Sequence, residues 1–207
     1  MKYIKGAVCA LLFILAATAA GLAFLHICDA VYLMDVRHYG LAESTGLTEE
    51  QIMDNYNAVM EYLSPFSQGE FDLPDLPFSE SGAYHFYETK NIFRNVYIIG
   101  GLSTITLIIW LILEGERAKG FLKISWALTL VIPLAAVGAA AIDFNKAFIL
   151  FHKVFFNNDM WMFDPAADPI IEILPEAFFM HCAMVIAAFY LAAAVFQLVL
   201  SKRKSHG

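Results

Sequence analysis

Residues 6–28, 96–113, 124–142 and 177–201 of this 207-residue chain contain no Asp, Glu, Lys or Arg. A helix needs roughly 17–25 mostly apolar residues to cross a hydrocarbon core of about 30 Å. Each stretch is long enough, and nothing constrains the chain more, because in lipid only a helix or a closed barrel satisfies its own backbone. Composition agrees: 59% of residues are hydrophobic and 16% charged, against about 45–50% and about 25% in soluble domains. The expected fold is all-α and transmembrane, a four-helix bundle with an extracellular cap of a short helix, extended segments and loops.

The first stretch has a rival reading as a signal peptide, since Lys2 and Lys5 precede an apolar run containing ATAAG. That run continues through Leu22, Phe24 and Leu25, and LHIC is a poor lipobox, so an uncleaved span is expected. The divisions are then a first span in 1–28, a cap in 29–95, a second span in 96–113, a loop in 114–123, a third span in 124–142, an exterior or interfacial segment in 143–176, a fourth span in 177–201 and a tail in 202–207.

Lysine and arginine counting sets the orientation. Lys2, Lys5, Arg117, Lys119, Lys123, Lys202, Arg203 and Lys204 share one side with only Glu114 and Glu116, whereas the other side carries eighteen of the twenty acidic residues. The expectation is a multi-pass protein of the cell membrane with cytoplasmic termini and an acidic exterior. Its net charge of −7 has the wrong sign for nucleic acid. Cys9, Cys28 and Cys182 show no ligand-type spacing, although Cys28 and Cys182 fall near the same face and leave a disulfide open beside two inert thiols.

Outside the spans, Thr48 with Gln51 makes a capping box before an apolar stripe of Ile52, Tyr56, Val59, Met60 and Leu63. This predicts an amphipathic helix over 49–63, stopped at Ser64-Pro65. Residues 66–82, with their prolines, read as extended chain, turns and short strands. A helical pattern resumes at Ala83, with His85, Glu88, Thr89 and Ile92 on one side. Residues 143–176 hold LFHKVFFNNDMWMFDPAADPI, in which one helical turn would stack Phe155 and Phe156 near His152. The following DPIIEILPEAFF reads as an interfacial piece with Ile170, Ile171, Ile173 and Leu174 toward lipid.

No HExxH, G-x-S-x-G, P-loop or G-x-G-x-x-G occurs. What remains is one histidine in each exterior segment, His85 and His152, bedded in aromatics and with carboxylates nearby in sequence. These point to an acid–base site. A metal site from His85, His152, Asp164 and Asp168 is the lesser alternative, because no two of them have a tight chelating spacing, so no metal or cofactor is expected. His26, His38, His181 and His206 read as structural or solvated.

The segments LAESTGLTEEQIMDNYNAVMEYL, LPFSESGAYHFYETKNIF and LFHKVFFNNDMWMFDPAADPIIEILPEAFF, with four similarly placed spans, resemble the bacterial lipoprotein intramolecular transacylase family over nearly the whole chain. Thr89 stands where that pattern more often has valine. The resemblance implies an acyltransferase with four transmembrane helices under an extracellular cap and two histidines at the boundary, which by motif are His85 and His152. It implies as partner a diacylated bacterial lipoprotein in the membrane lipid, whose sn-2 acyl chain moves from glycerol to the α-amine of its N-terminal cysteine, giving the lyso-form.

Such an amine has a reference pKa of about 7.7–8.0 and must lose a proton before it attacks. On this reading one histidine is the general base and the other the acid or electrophile; His152 is assigned the first role and His85 the second, and the sequence leaves the exchange of the two roles open. Glu88, Asp164 or Asp168 would orient an imidazole and Asn157 would donate to the oxyanion, while Tyr84, Phe86, Tyr87, Phe151, Phe155, Phe156, Trp161 and Phe163 would line the substrate pocket. Two alternatives stay open: a membrane lipid or ester hydrolase, with or without a metal, and a non-catalytic membrane binding protein.

Overall fold

The computed structural model describes residues 1–203; the end of the basic tail, with Lys204 and His206, lies outside them. The described residues contain no strand. In chain order the helices are α1 (Lys2–Ile27), α2 (Ala30–His38), α3 (Leu41–Thr45), α4 (Glu49–Leu63), α5 (Glu80–Glu114), α6 (Ala118–Ile142), α7 (Phe144–Phe155), α8 (Ile170–Ile173) and α9 (Glu176–Lys202). Three helical stretches are long and apolar enough to cross a membrane: Lys2–Ile27, Glu80–Ile142 and Glu176–Lys202. The middle one is 63 residues long and joins α5 to α6 through a 3₁₀ turn at Gly115–Arg117. Gly115 has φ 48°, a left-handed conformation in which a β-carbon would be strained.

The chain divides into two compact units. The first comprises Met1–Phe24, Val96–Ile142 and the described chain from Ala183 onward. On α5 it exposes Ile98, Ile99, Leu102, Ile105, Ile108, Ile109, Ile112 and Leu113. Such a surface is at equilibrium in lipid and not in water. With no hydrophobic drive between helices in a bilayer, close packing and polar contacts hold them together. A β-carbon on Gly100 would overlap the Ala19 methyl, so glycine is what lets α1 and α5 touch here. Gln197 of α9 accepts a hydrogen bond from Ser125 and donates one to Thr129 at 3.0 Å, both on α6 and all three buried. Lys5 pairs with Glu114.

The second unit comprises Leu25–Asn95 and Asp143–Cys182. It is more helical than the sequence suggests. Gly40 (φ 61°) and Gly46 (φ 74°) take left-handed conformations that end α2 and α3 and turn the chain between them. The capping box forms as expected: Gln51 N donates to Thr48 Oγ1 at 3.1 Å and Thr48 N to Gln51 Oε1 at 3.0 Å, opening α4. Residues 66–79 form turns and irregular chain in place of the expected strands, and α5 begins at Glu80, before Ala83.

The core of this unit gathers Tyr32, Ile52, Tyr56, Val59, Leu63, Phe71, Phe86 and Phe178. Tyr32 stacks on Tyr56 at 3.8 Å and donates to the Ile173 carbonyl at 2.8 Å. The expected lipid-facing role of the DPIIEILP stretch is corrected for three of its residues. Ile170 is 1%, Ile173 0% and Leu174 6% exposed, and all three belong to this protein core. Burial against protein or lipid removes the same apolar area from water, so sequence periodicity does not separate the two.

Candidate active site

The second unit carries both histidines, on the first part of α5 and on α7. His85 lies in the second turn of α5, and α7 carries His152 one turn before its end. The Asp143 carboxylate opens α7 by accepting from Lys146 N at 3.0 Å. This helix buries its histidine and exposes Leu150, Phe151, Val154 and Phe155, the reverse of a helix built for water.

The imidazoles of His85 and His152 meet with ring centroids 5.7 Å apart, and each is 8% exposed. Phe156 sits against both, 4.6 Å from His85 and 5.4 Å from His152. Trp161 stacks on His152 at 4.7 Å, and Phe163 meets His85 edge-on at 5.5 Å. Phe86 packs at 6.0 Å from His85 and Phe151 at 5.5 Å from His152.

His152 Nδ1 lies 2.8 Å from the Phe148 carbonyl. A carbonyl only accepts, so Nδ1 carries the proton and a neutral ring keeps its lone pair on Nε2. His85 Nδ1 is buried with no hydrogen-bond partner among the described residues. Burial, reinforced by the neighbouring His152, pushes the His85 imidazole down to about 4. Burial also lowers His152, against a smaller upward pull from its bond to the Phe148 carbonyl. Both rings are therefore mainly neutral at pH 7.

The expected orienting groups have other partners. Glu88 accepts from Asn158 Nδ2 at 3.0 Å through each of its oxygens. Asp164 accepts from Ala166 N at 3.0 Å within its own loop. Asp168 accepts from Ser79 N and Ser79 Oγ, each at 2.8 Å, at the start of α5. None of the three bonds to either imidazole. Asn157 is exposed and makes no hydrogen bond among the described residues, so Asn158 is the asparagine tied into the site. Tyr84, Tyr87 and Phe155 are about half exposed (46%, 51% and 52%) and have no ring contact with either histidine. Phe86, Phe151, Phe156, Trp161 and Phe163 do contact them.

Sequence reading missed Phe148 and Asn158. Phe148 supplies both the carbonyl for Nδ1 and a ring 4.1 Å from His152; its position one turn before the histidine was the available signal. Asn158 also positions Trp161, whose Nε1 donates to the Asn158 carbonyl at 3.0 Å. No three His, Cys, Asp or Glu side chains converge as metal ligands among the described residues, and all three cysteines are free thiols. His26 and His181 are tied into this unit: His26 Nε2 donates to the Met60 carbonyl at 2.9 Å, and His181 Nδ1 to the buried Asp35 carboxylate at 2.8 Å.

Comparison with known proteins meets this geometry from outside. The family model of the lipoprotein intramolecular transacylase Lit matches residues 4–179. No curated protein matches the chain. Among solved structures, the membrane integral lipoprotein intramolecular transacylase Lit from Bacillus cereus is 32% identical, with a TM-score of 0.89 over 97% of this chain and 94% of that one. Two variants of that Bacillus cereus protein, H85R and H85A, are each 31% identical with a TM-score of 0.85, over 98% of this chain and 91% and 92% of theirs. The chain is therefore an integral membrane acyltransferase, a member of the lipoprotein intramolecular transacylase (Lit) family.

Proposed function

We propose that this transacylase moves the sn-2 acyl chain of a diacylglyceryl lipoprotein to the α-amine of its N-terminal cysteine, with His152 as general base and His85 as a neutral hydrogen-bond donor. The observation that carries the assignment is the bond from His152 Nδ1 to the Phe148 carbonyl, which leaves the basic Nε2 free. The H85R and H85A variants of the Bacillus relative, numbered as His85 is here, lend support to a role for that histidine.

The amine first releases its ammonium proton to solvent. As its nitrogen attacks the ester carbonyl, Nε2 of His152 takes a second proton and a nitrogen–carbon bond forms. The tetrahedral oxyanion receives a hydrogen bond from His85, which burial keeps neutral and a poor base, with an N–H left to donate. Collapse breaks the carbon–oxygen bond to glycerol, and His152 returns its proton to the departing oxygen. Amide, alcohol and one released proton balance the reaction. Phe156, Trp161 and Phe163 exclude the water that would otherwise take the acyl group.

The same reading gives the chain four spans, because α5 and α6 are separated by the Gly115 turn and hold 35 and 25 residues, each sufficient to cross. The lysine and arginine bias supports cytoplasmic termini and a site at the exterior membrane surface.

The test is mass spectrometry of a diacylated N-terminal lipopeptide incubated with purified protein and no acyl donor. Total mass should stay constant while fragmentation shows one acyl chain on nitrogen. His85→Gln and His152→Gln should insert and melt as folded proteins without forming that product. Loss of one acyl chain from the substrate would make the protein a hydrolase, and unchanged product from either variant would falsify the role given to that histidine.

A further inference from the structure

The face of α5 that carries Tyr87, Lys90, Asn91 and Arg94, at spacings of three and four residues, is not the face of His85. With Tyr62 and Gln68 these side chains line a hollow of about 640 Å³ within the second unit. Lys90 Nζ is held 4.2 Å over the Tyr62 ring. Neither Lys90 nor Arg94 forms an ion pair among the described residues, whereas Arg37 and Lys146 of the same unit are paired with Glu49 and Asp143. Glu70 also lines the hollow, so two cations face one carboxylate in a segment otherwise rich in acid. Lys153 is the other unpaired cation of this unit and lies outside the hollow.

The position is informative. Val96 begins the uncharged run of α5 only two residues after Arg94, which at about 1.5 Å per residue sets both cations within roughly 10 Å of the start of the apolar segment. Phe66, in the turn whose neighbours Pro65 and Ser67 line the hollow, is 86% exposed. An exposed aromatic beside long cationic side chains is the composition of a headgroup layer. The transacylated group itself does not suit the hollow: its diacylglyceryl thioether has no phosphate, and its α-amine is a cation that Lys90 and Arg94 repel.

We propose that this hollow binds the headgroup phosphate of an anionic glycerophospholipid, with Arg94 and Lys90 on the phosphate oxygens and Gln68 and Asn91 on the polar headgroup. The site rests on the exterior orientation proposed for this segment and not on the histidine chemistry. Its role is to hold the second unit at the membrane surface in register with lipid.

Native mass spectrometry of the full-length protein in detergent tests it without substrate turnover. The probes are phosphatidylglycerol, phosphatidylcholine, diacylglycerol and inorganic phosphate, each titrated separately. The expected result is one retained phosphatidylglycerol, bound roughly tenfold or more tightly than phosphatidylcholine or diacylglycerol. Lys90→Gln/Arg94→Gln should lose that preference. Lys90→Arg/Arg94→Lys, which keeps the charge, and Lys153→Gln, outside the hollow, should keep it. Equal binding of phosphatidylglycerol and phosphatidylcholine, or full retention by the Lys90→Gln/Arg94→Gln variant, overturns the site. Inorganic phosphate binding as tightly as the lipid overturns the lipid assignment. Because binding is read in the absence of lipoprotein, failure here leaves the transacylase reading standing, and failure of the histidine variants leaves this one standing.

Discussion

Replacing Asp168 by alanine separates an architectural carboxylate from a catalytic one. Its side chain is 3% exposed and accepts two hydrogen bonds from Ser79, at N and at Oγ, each 2.8 Å. Ser79 Oγ in turn accepts from Gly82 N at 3.0 Å, so this carboxylate anchors the first turn of the helix that carries His85. Hydrogen bonds to a charged group contribute about 1.5–3 kcal/mol each. Water can partly replace the acceptor at half-buried Ser79, so Asp168→Ala should cost about 3 kcal/mol and lower the melting midpoint by roughly 6–12 °C.

Gly82 supplies the cross-check. A β-carbon there would collide with the Asp168 carboxylate, so Gly82→Ala must push that group off Ser79 and lose the same bonds. The double variant should therefore be only slightly less stable than Asp168→Ala, with a coupling of about 2–3 kcal/mol in a double-mutant cycle. Thermal unfolding of the detergent-solubilised protein measures all three variants, and the lipopeptide assay measures turnover per folded molecule. Turnover should survive in the folded fraction of Asp168→Ala. An additive cycle, or unaltered melting with turnover lost, would refute the reasoning and return Asp168 to the catalytic group.

Acidification probes His85. Its folded imidazole sits at about 4 against 6.5 for the ordinary group, so on falling pH the unfolded chain takes up the proton first. Its contribution to stability is fully present above 6.5, declines through the window down to about 4 and then levels off. At about 1.36 kcal/mol per pKa unit, wild type should lose roughly 3 kcal/mol more than His85→Gln between pH 7 and pH 4; parallel curves would contradict the burial of this ring as an unpartnered base. The buried Asp35 and its partner His181 offer a stability test: His181→Ala strands a carboxylate that is 0% exposed and should cost about 3 kcal/mol. Asp35→Leu/His181→Leu, which removes the carboxylate together with its hydrogen-bond partner, should melt above His181→Ala.

Much of this protein was legible in one dimension because the physics involved is local. Runs without Asp, Glu, Lys or Arg mark the apolar parts of α1, α5, α6 and α9, since an ionised side chain in hydrocarbon is costly wherever the rest of the chain goes. Thr48, Gln51 and Ser64-Pro65 bound α4 to the residue, since capping and proline act within a turn. The one-turn spacing of His152 and Phe156 survives in α7 and its cap.

The site needed the fold. The sequence shows carboxylates near the histidines, but only packing decides that Glu88 serves Asn158 and Asp168 serves Ser79. An acid can satisfy its lone pairs on any donor that folding brings within about 3 Å. Tyr84, Tyr87 and Phe155 carry the same aromatic signal as Phe156 and Trp161, yet they face outward, because composition is blind to which side of a helix is covered. The sequence singled out two of six histidines and a membrane. The long-range packing of α5 against α7, with a loop that folds Trp161 back onto His152, decided that the two imidazoles lie 5.7 Å apart with a free basic nitrogen on one of them.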